Sequence, residues 1–301
     1  MNRVLVTGAT GFIGRHALAP LGERGFELHA VTSGEPATDA QARWHRADLL
    51  DPADRARIAR EAGASHLLHL AWYTQPGDYW ESGHNDRWVE ASLALLEEFR
   101  TAGGRRAVIA GSCAEYEWSR PRLSEATTPL RPATRYGRAK DHLRAGAEEL
   151  GRREGLEVVW GRLFFLYGPG EHPQRLVPSV TRALLAGEPA RTTDGRQRRD
   201  FLFAPEAADA FAALVDSEFS GAVNVASGES VSVRDVVELI GRATGRRELI
   251  ELGAIPRPLD DPLELVADTS LLRERVGWRP RVGLAEGIER TVAWWRERLG
   301  A

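Results

Sequence analysis

Val4-Leu5-Val6-Thr7-Gly8-Ala9-Thr10-Gly11-Phe12-Ile13-Gly14 is the stretch on which the fold turns. A short apolar run over residues 3–6 leads into three glycines spaced G-x-x-G-x-x-G, and residues 14–24 continue with helical periodicity. Each glycine has its own steric reason. Gly8 permits a tight turn, Gly11 lets backbone approach a pyrophosphate, and Gly14 lets helix and strand pack closely. The free N–H groups and positive dipole end of the helix then face the phosphates, with Thr10, Phe12 and Ile13 completing the loop. A glycine pattern alone is weak. A strand before it and a helix after it make it a dinucleotide-binding turn.

Working outward, the alternation repeats. Residues 27–32, 66–70, 106–110 and 157–163 read as strands, and 53–62, 87–100 and 135–154 as helices. This spacing predicts an α/β chain with a Rossmann-type, doubly wound parallel sheet and right-handed crossovers. A dinucleotide-binding domain is expected over residues 1–165, with 202–245 returning a later strand (221–226) and helix (233–244). A smaller interleaved C-terminal substrate-binding cap is expected over 166–201 and 246–301. Its marks are the Gly168-Pro169-Gly170 and His172-Pro173 loop, a helix over 178–186 and a polar segment over 188–199. A proline-rich loop over 255–262 and an amphipathic helix over 284–298 follow.

Composition bounds the class. Of 301 residues, 43% are hydrophobic and 28% charged, enough to bury a sizeable core. The net charge of −3 argues against nucleic acid as a partner. A single cysteine, Cys113, rules out an intramolecular disulfide and a multi-cysteine metal site, and no metal is expected. No apolar run reaches the roughly 20 residues that span a bilayer, and the start lacks a signal-peptide pattern. A soluble cytoplasmic protein without a membrane partner is expected. Of the 40 basic residues one is lysine, Lys140, and 39 are arginine.

That lysine closes Tyr136-Gly137-Arg138-Ala139-Lys140, a Y-x-x-x-K pattern. On a helix, positions i and i+4 share a face, so phenol and ammonium converge. A phenol of ordinary pKa, about 10, exchanges protons poorly near neutrality, and a nearby ammonium is expected to lower it. Lys140 can also hold the nicotinamide ribose. Ser112 ends the run Val108-Ile109-Ala110-Gly111-Ser112, at the strand end where ligands bind in open parallel sheets. Its hydroxyl can orient a substrate oxygen while Tyr136 donates a proton to a ketone oxygen as hydride arrives.

With Thr7–Gly14, Gly111-Ser112-Cys113-Ala114-Glu115-Tyr116, the Y-x-x-x-K pair, Arg162-Leu163-Phe164-Phe165-Leu166-Tyr167-Gly168-Pro169 and Gln197-Arg198-Arg199-Asp200-Phe201, the chain resembles the extended short-chain dehydrogenases/reductases. Within them it is similar to the NAD(P)-dependent sugar-nucleotide epimerase/dehydratase family. The resemblance covers nearly the whole chain, and Asn224–Glu229, Asp268 and Gly277-Trp278-Arg279-Pro280 extend it. It implies a nucleotide-sugar substrate and a catalytic Ser112, Tyr136 and Lys140. It also implies that Asp48, with Leu49, holds the adenine, and that Leu70 and Ala71 pass under the cofactor. Cys113, Ala114, Glu115, Phe165, Arg175 and Arg199 would face the substrate, Arg199 at its diphosphate. Asp51 reads as a helix N-cap ahead of Pro52. Strand 27–32 ends in Val31-Thr32-Ser33-Gly34 with no acid before Glu35, so Ser33 leaves room for a 2′-phosphate, with Arg15 or Arg43 as its partner. NADP is the preferred cofactor on this ground, with NAD as the other.

Departures from the family narrow the activity. Cys113 and Ala114 stand where the 4,6-dehydratases carry an Asp-Glu pair, so water elimination is excluded. Phe165 and Trp88 stand where the family has asparagines. Arg175 stands about where the epimerase-reductases have a histidine, and Cys113 is one place early for their cysteine. The chain is therefore expected to be most like the reductases of nucleotide-linked 4-keto-6-deoxy sugars. An NAD-dependent sugar-nucleotide epimerase is the alternative, and a non-catalytic dinucleotide-sensing protein the second. The aromatics of Trp72-Tyr73, Tyr79-Trp80 and Trp88 line a less polar sugar or form a packed flap; the two readings stay open. A homodimer through helices 87–100 and 135–154 is expected, marked by an exposed apolar stripe on them.

Overall fold

The computed structural model describes residues 2–35, 41–258 and 261–300. Strands β1 (Arg3–Thr7), β2 (Glu27–Thr32), β3 (Arg43–Arg46), β4 (His66–His69) and β5 (Arg106–Ser112) join strands Glu157–Leu163 and Gly221–Val225 in one parallel sheet. The order runs Gly221–Val225, Glu157–Leu163, β5, β4, β1, β2, β3. Val4, Leu5 and Val6 of the central strand are wholly buried, as an uninterrupted apolar run requires when both sheet faces are covered. Chain order reverses on either side of β1, and the crevice at the strand ends there is where such sheets bind ligands.

The helices are α1 (Gly14–Glu23), α2 (Pro52–Ala62), α3 (His84–Thr101), α4 (Arg135–Glu154), α5 (Leu176–Leu185), α6 (Ala204–Asp216), α7 (Val233–Thr244) and α8 (Leu284–Leu299). On one face of the sheet Ala17, Leu18 and Leu21 of α1 pack with Ala207, Phe211 and Leu214 of α6. On the other, Ile58 of α2, Leu95 and Phe99 of α3 and Leu143 and Ala147 of α4 form the second core. Small β-strands stand outside this sheet. Phe165–Tyr167 pairs with Phe201–Phe203, and Arg198–Arg199 pairs with Glu264–Ala267.

Several expected boundaries move. Helix 87–100 starts earlier, at His84, and strand 106–110 runs on to Ser112. The polar segment 188–199 contributes the short strands Ala190–Arg191 and Arg198–Arg199. Core packing crosses the expected domain split. α7, expected with the dinucleotide-binding half, packs its Val233, Val236, Val237 and Ile240 stripe on Val180 and Leu184 of α5 and Ile288 of α8. Conversely Leu272 and Trp278, in the expected cap, lie in the sheet-side core with α1 and α6. Residues 259 and 260 of the expected loop 255–262 lie outside the described residues.

The apolar stripe expected for a dimer is not found. α3 and α4 pack on each other and expose Asp86, Glu90, Glu97, Arg138, His142 and Arg152. Among the described residues the exposed large apolar side chains are Ile255, Leu263 and Leu299, on neither helix. No helix among the described residues is long and apolar enough to cross a membrane.

Candidate active site

The glycine turn is built as tightly as its sequence requires. Gly8 has φ 68°, and a Cβ there would sit 2.8 Å from Ala71 N. A Cβ on Gly14 would sit 2.1 Å from Gly8 O. The turn is thus pressed against Leu70 and Ala71 after β4, where Leu70 N donates to Thr7 O at 3.2 Å. α1 has Ile13 as its N-cap and no side-chain cap, which leaves that helix end to an anion. Thr10 and Gly11 are exposed beside it, and Phe12 and Ile13 are half-buried. This uncapped, glycine-lined helix end fits a dinucleotide pyrophosphate.

Around the adenosine end the picture is mixed. Ser33 is exposed just past β2. Arg15, one expected 2′-phosphate partner, instead braces its own turn through Gly11 O and Thr10 O at 3.1 and 3.0 Å. Arg43, the other, lies opposite His29, four residues before Ser33. Asp48 is exposed in a turn whose Oδ1 accepts Leu50 N at 2.9 Å. Leu49, expected at the cofactor, turns its side chain into the core with Ile58 and Val31. Asp51 is the N-cap of α2, accepting Ala53 N at 2.7 Å ahead of Pro52.

Ser112, Tyr136 and Lys140 come together because α4 begins against the turn that follows β5. A Cβ on Gly137 would lie 2.2 Å from Ala114 O, so only glycine permits that approach. Thr134 caps α4 by accepting Gly137 N at 3.0 Å, and Tyr136 N donates to Trp80 O at 2.9 Å. Ser112 Oγ accepts Ala114 N at 3.2 Å and lies near enough to the Tyr136 phenol to favour its ionised form. Tyr79 and Trp80 meet the Tyr136 ring edge-on, at 5.1 and 5.7 Å between centroids.

Burial pushes the Tyr136 phenol above its ordinary range, with the nearby Ser112 hydroxyl opposing. Lys140 follows one turn later on α4. Its Nζ donates to Ala110 O at 2.9 Å and lies 3.7 Å from the Trp72 ring centroid. Burial brings Lys140 itself down to about 7, with Glu115 opposing. Below it, His69 bridges Thr7 Oγ1 at 2.7 Å and Ser92 Oγ at 2.9 Å. Burial and the neighbouring Lys140 hold His69 neutral, at about 3.

The expected substrate residues separate into two groups. Glu115 has no exposed surface. Its carboxylate accepts Ser112 N at 2.7 Å, Trp160 Nε1 at 2.9 Å and Arg162 Nε at 2.7 Å. It supports the Ser112 backbone instead of touching substrate. Cys113 is buried with Tyr116, Leu123 and Phe164, and its thiol is pushed up to about 12 by burial. Ala114 is likewise buried. Phe165 and Arg175 remain partly exposed, Arg175 over the Tyr79 ring at 5.3 Å. Arg199 stacks on Phe165 at 5.3 Å, donates to Pro262 O at 2.8 Å and pairs with Asp261.

Two residues went unread in the sequence. Arg257 lies close enough to oppose the Arg199 charge, and its Nη1 is buried with no hydrogen-bond partner among the described residues. Its signal, an arginine in a proline-rich loop, was indistinct from surface. Glu171 is 8% exposed, its Oε2 has no hydrogen-bond partner among the described residues, and burial raises it to about 8 against the pull of Arg175.

The NAD dependent epimerase/dehydratase family model matches residues 4–226, and the chain belongs to that family. The UDP-glucose 4-epimerase of Streptomyces lividans is 29% identical over 93% of this chain and 92% of its own length. The crystal structure of the Thermus thermophilus UDP-glucose 4-epimerase complex with NAD is 28% identical. It has a TM-score of 0.87 over 98% of this chain and 99% of that one. The structure of MoeE5 in complex with UDP-glucuronic acid and NAD is 30% identical, with a TM-score of 0.86 over 99% and 100%. The chain is accordingly an enzyme. The first two relatives are epimerases where a 4-keto reductase was expected, and both structures hold NAD where NADP was preferred.

Proposed function

We propose that this member of the NAD dependent epimerase/dehydratase family is an NAD-dependent nucleotide-sugar epimerase that inverts a secondary alcohol carbon of a UDP-hexose. The observation that carries the reading is the placing of the Tyr136 phenol beside the Ser112 hydroxyl, at the start of α4 where Gly137 packs on Ala114 O. Inversion through a ketone removes a proton from one oxygen and returns it to the same oxygen, so one positioned acid–base group suffices. Elimination of water needs a second acid and base. Cys113 and Ala114 stand in those places, and Glu115 is committed to Arg162.

Bound NAD supplies the acceptor and donor of the hydride. The protein's part is to hold proton and oxygen. Ser112 Oγ orients the sugar hydroxyl, Tyr136 Oη takes its proton and later gives it back, and Lys140 sits one turn along α4 from Tyr136. Arg199 and Arg257 supply the cationic end for the diphosphate. Near Ser33, Arg15 is turned to its own loop and Arg46, opposite Thr32, is paired with Glu35. That commitment of the nearby cations favours NAD over NADP.

The test is to incubate purified protein with UDP-glucose and no added coenzyme, and to follow the sugar by proton NMR. Formation of the C4 epimer, reduced about 10²–10⁴-fold in Tyr136→Phe, is the expected result. Stoichiometric loss of NADPH with a dTDP-4-keto-6-deoxyhexose, and no epimer from UDP-hexoses, would overturn it in favour of the ketoreductase.

A further inference from the structure

Lys140 is 4% exposed, and a buried ammonium ordinarily needs an anion beside it. The acid that bears on it, Glu115, is already bound to Arg162, Trp160 and Ser112 N. His69, beneath it, is neutral. Tyr136, one turn earlier on α4, is held neutral by burial. Among the described residues, the direct contacts of the Lys140 ammonium are one carbonyl, Ala110 O, and the face of an indole.

We propose that Trp72 is a positioning residue for Lys140, its indole face standing in for the missing carboxylate and holding the ammonium over the ends of β4 and β5. Three observations support this. First, 3.7 Å from Nζ to the ring centroid is well inside the range at which a cation is attracted to a π-face. Second, the indole is fixed. Its Nε1 donates to Asn85 Oδ1 at 3.0 Å, and Asn85, wholly buried, is itself held by Tyr79 O at 2.7 Å and Ser82 O at 3.0 Å. Trp88 packs at 6.2 Å on the same ring. Third, Ala71 carries Trp72 directly off the strand end pressed against the glycine turn, so indole and ammonium meet where dinucleotide and substrate would. The dense aromatics of this segment thus have a task beyond packing. Burial lowers the pKa of the Lys140 ammonium and Glu115 raises it. On this proposal the π-face acts in the same direction as Glu115, and the consequence for turnover rests on the epimerase reading above.

The chain's composition makes the test direct. Lys140 is its single lysine, so protein grown on ¹³C,¹⁵N-lysine carries one labelled side chain, whose Cε shift reports its ionisation whether or not the enzyme turns over. A titration midpoint near 7 is expected in the wild type. Removing an attraction to the charged form lowers the midpoint, so Trp72→Leu is expected to titrate lower by about 0.4–1.5 pH units, and Trp72→Phe in between. The alkaline limb of kcat/KM for epimerisation moves down with it. An unchanged midpoint in Trp72→Leu overturns the proposal. So does a higher one, which would mean that Trp72 only excludes water. If Trp72→Leu does not fold, fluorinated tryptophan incorporated throughout weakens the π-face at nearly unchanged shape. A downward shift is then expected in the wild type and not in the Trp72→Phe background, where equal shifts would reject the assignment. A titrating Lys140 that obeys Trp72 in a protein that makes no epimer would sink the activity and leave the positioning role.

Discussion

Glu115 and Arg162 form an ion pair at 2.7 Å in which neither side chain is more than 3% exposed, directly behind the backbone of Ser112. The pair is extended on both sides. Trp160 donates to the carboxylate, and Arg162 Nη1 donates to Tyr116 Oη at 3.2 Å. Burial raises the Glu115 carboxyl while Arg162 opposes it, so each charge depends on the other. Breaking one side leaves an uncompensated buried charge, which costs about 3–5 kcal/mol. Glu115→Ala is expected to lose that much in urea unfolding, while Glu115→Met with Arg162→Met recovers part of it. A loss under about 1 kcal/mol would show that water replaces the lost carboxylate.

The glycine turn predicts a contrast within one helix. A Cβ on Gly14 meets Gly8 O at 2.1 Å and Ala9 Cα at 2.7 Å, backbone that has nowhere to go. Gly14→Ala should therefore lower both stability and the amount of NAD carried through purification. At Gly22, on the same α1, a Cβ meets Leu28 Cδ1 at an ordinary 3.8 Å. Gly22→Ala should stabilise the chain by about 0.5–1 kcal/mol through helix propensity, with NAD content unchanged. Equal NAD content in both variants, measured by absorbance after acid release, would remove the steric argument for the turn.

Glu171 should make stability fall as pH rises. Its carboxyl titrates at about 8 in the folded chain, against 4.5 for the free group, because burial disfavours the charged form. Its contribution is fully present below pH 4.5 and is lost progressively as pH climbs through 8. Glu171→Gln keeps the shape and removes the proton. Its Tm should match wild type near pH 4.5 and exceed it increasingly up to pH 8–9. A Tm difference that is constant across this range would mean the carboxyl titrates like a solvated one.

Much of this was legible in the sequence. The G-x-x-G-x-x-G turn, strand Glu157–Leu163 and helices α4 and α7 stand where periodicity put them, because each signal is carried by residues a few places apart. α6 passed unmarked. Its alanine-rich run has buried residues nearly all round, so it shows little of the polar face by which a surface helix is recognised. Glu115 lay in a segment expected at the substrate. Its actual partner, Arg162, is 47 positions along and comes to it through the pairing of β5 with strand Glu157–Leu163.

The sequence by itself determined the parallel sheet, the dinucleotide turn and which serine, tyrosine and lysine to consider, since glycine sterics and helical spacing act within one or two turns of chain. Tertiary structure alone decided what those groups face. It turned Leu49 and Cys113 inward, gave α7 to α5 and α8, brought Arg257 near Arg199, and laid Trp72 against Lys140. A side chain's charge and proton depend on the low-dielectric surroundings assembled by distant segments, and those are settled only when the elements pack.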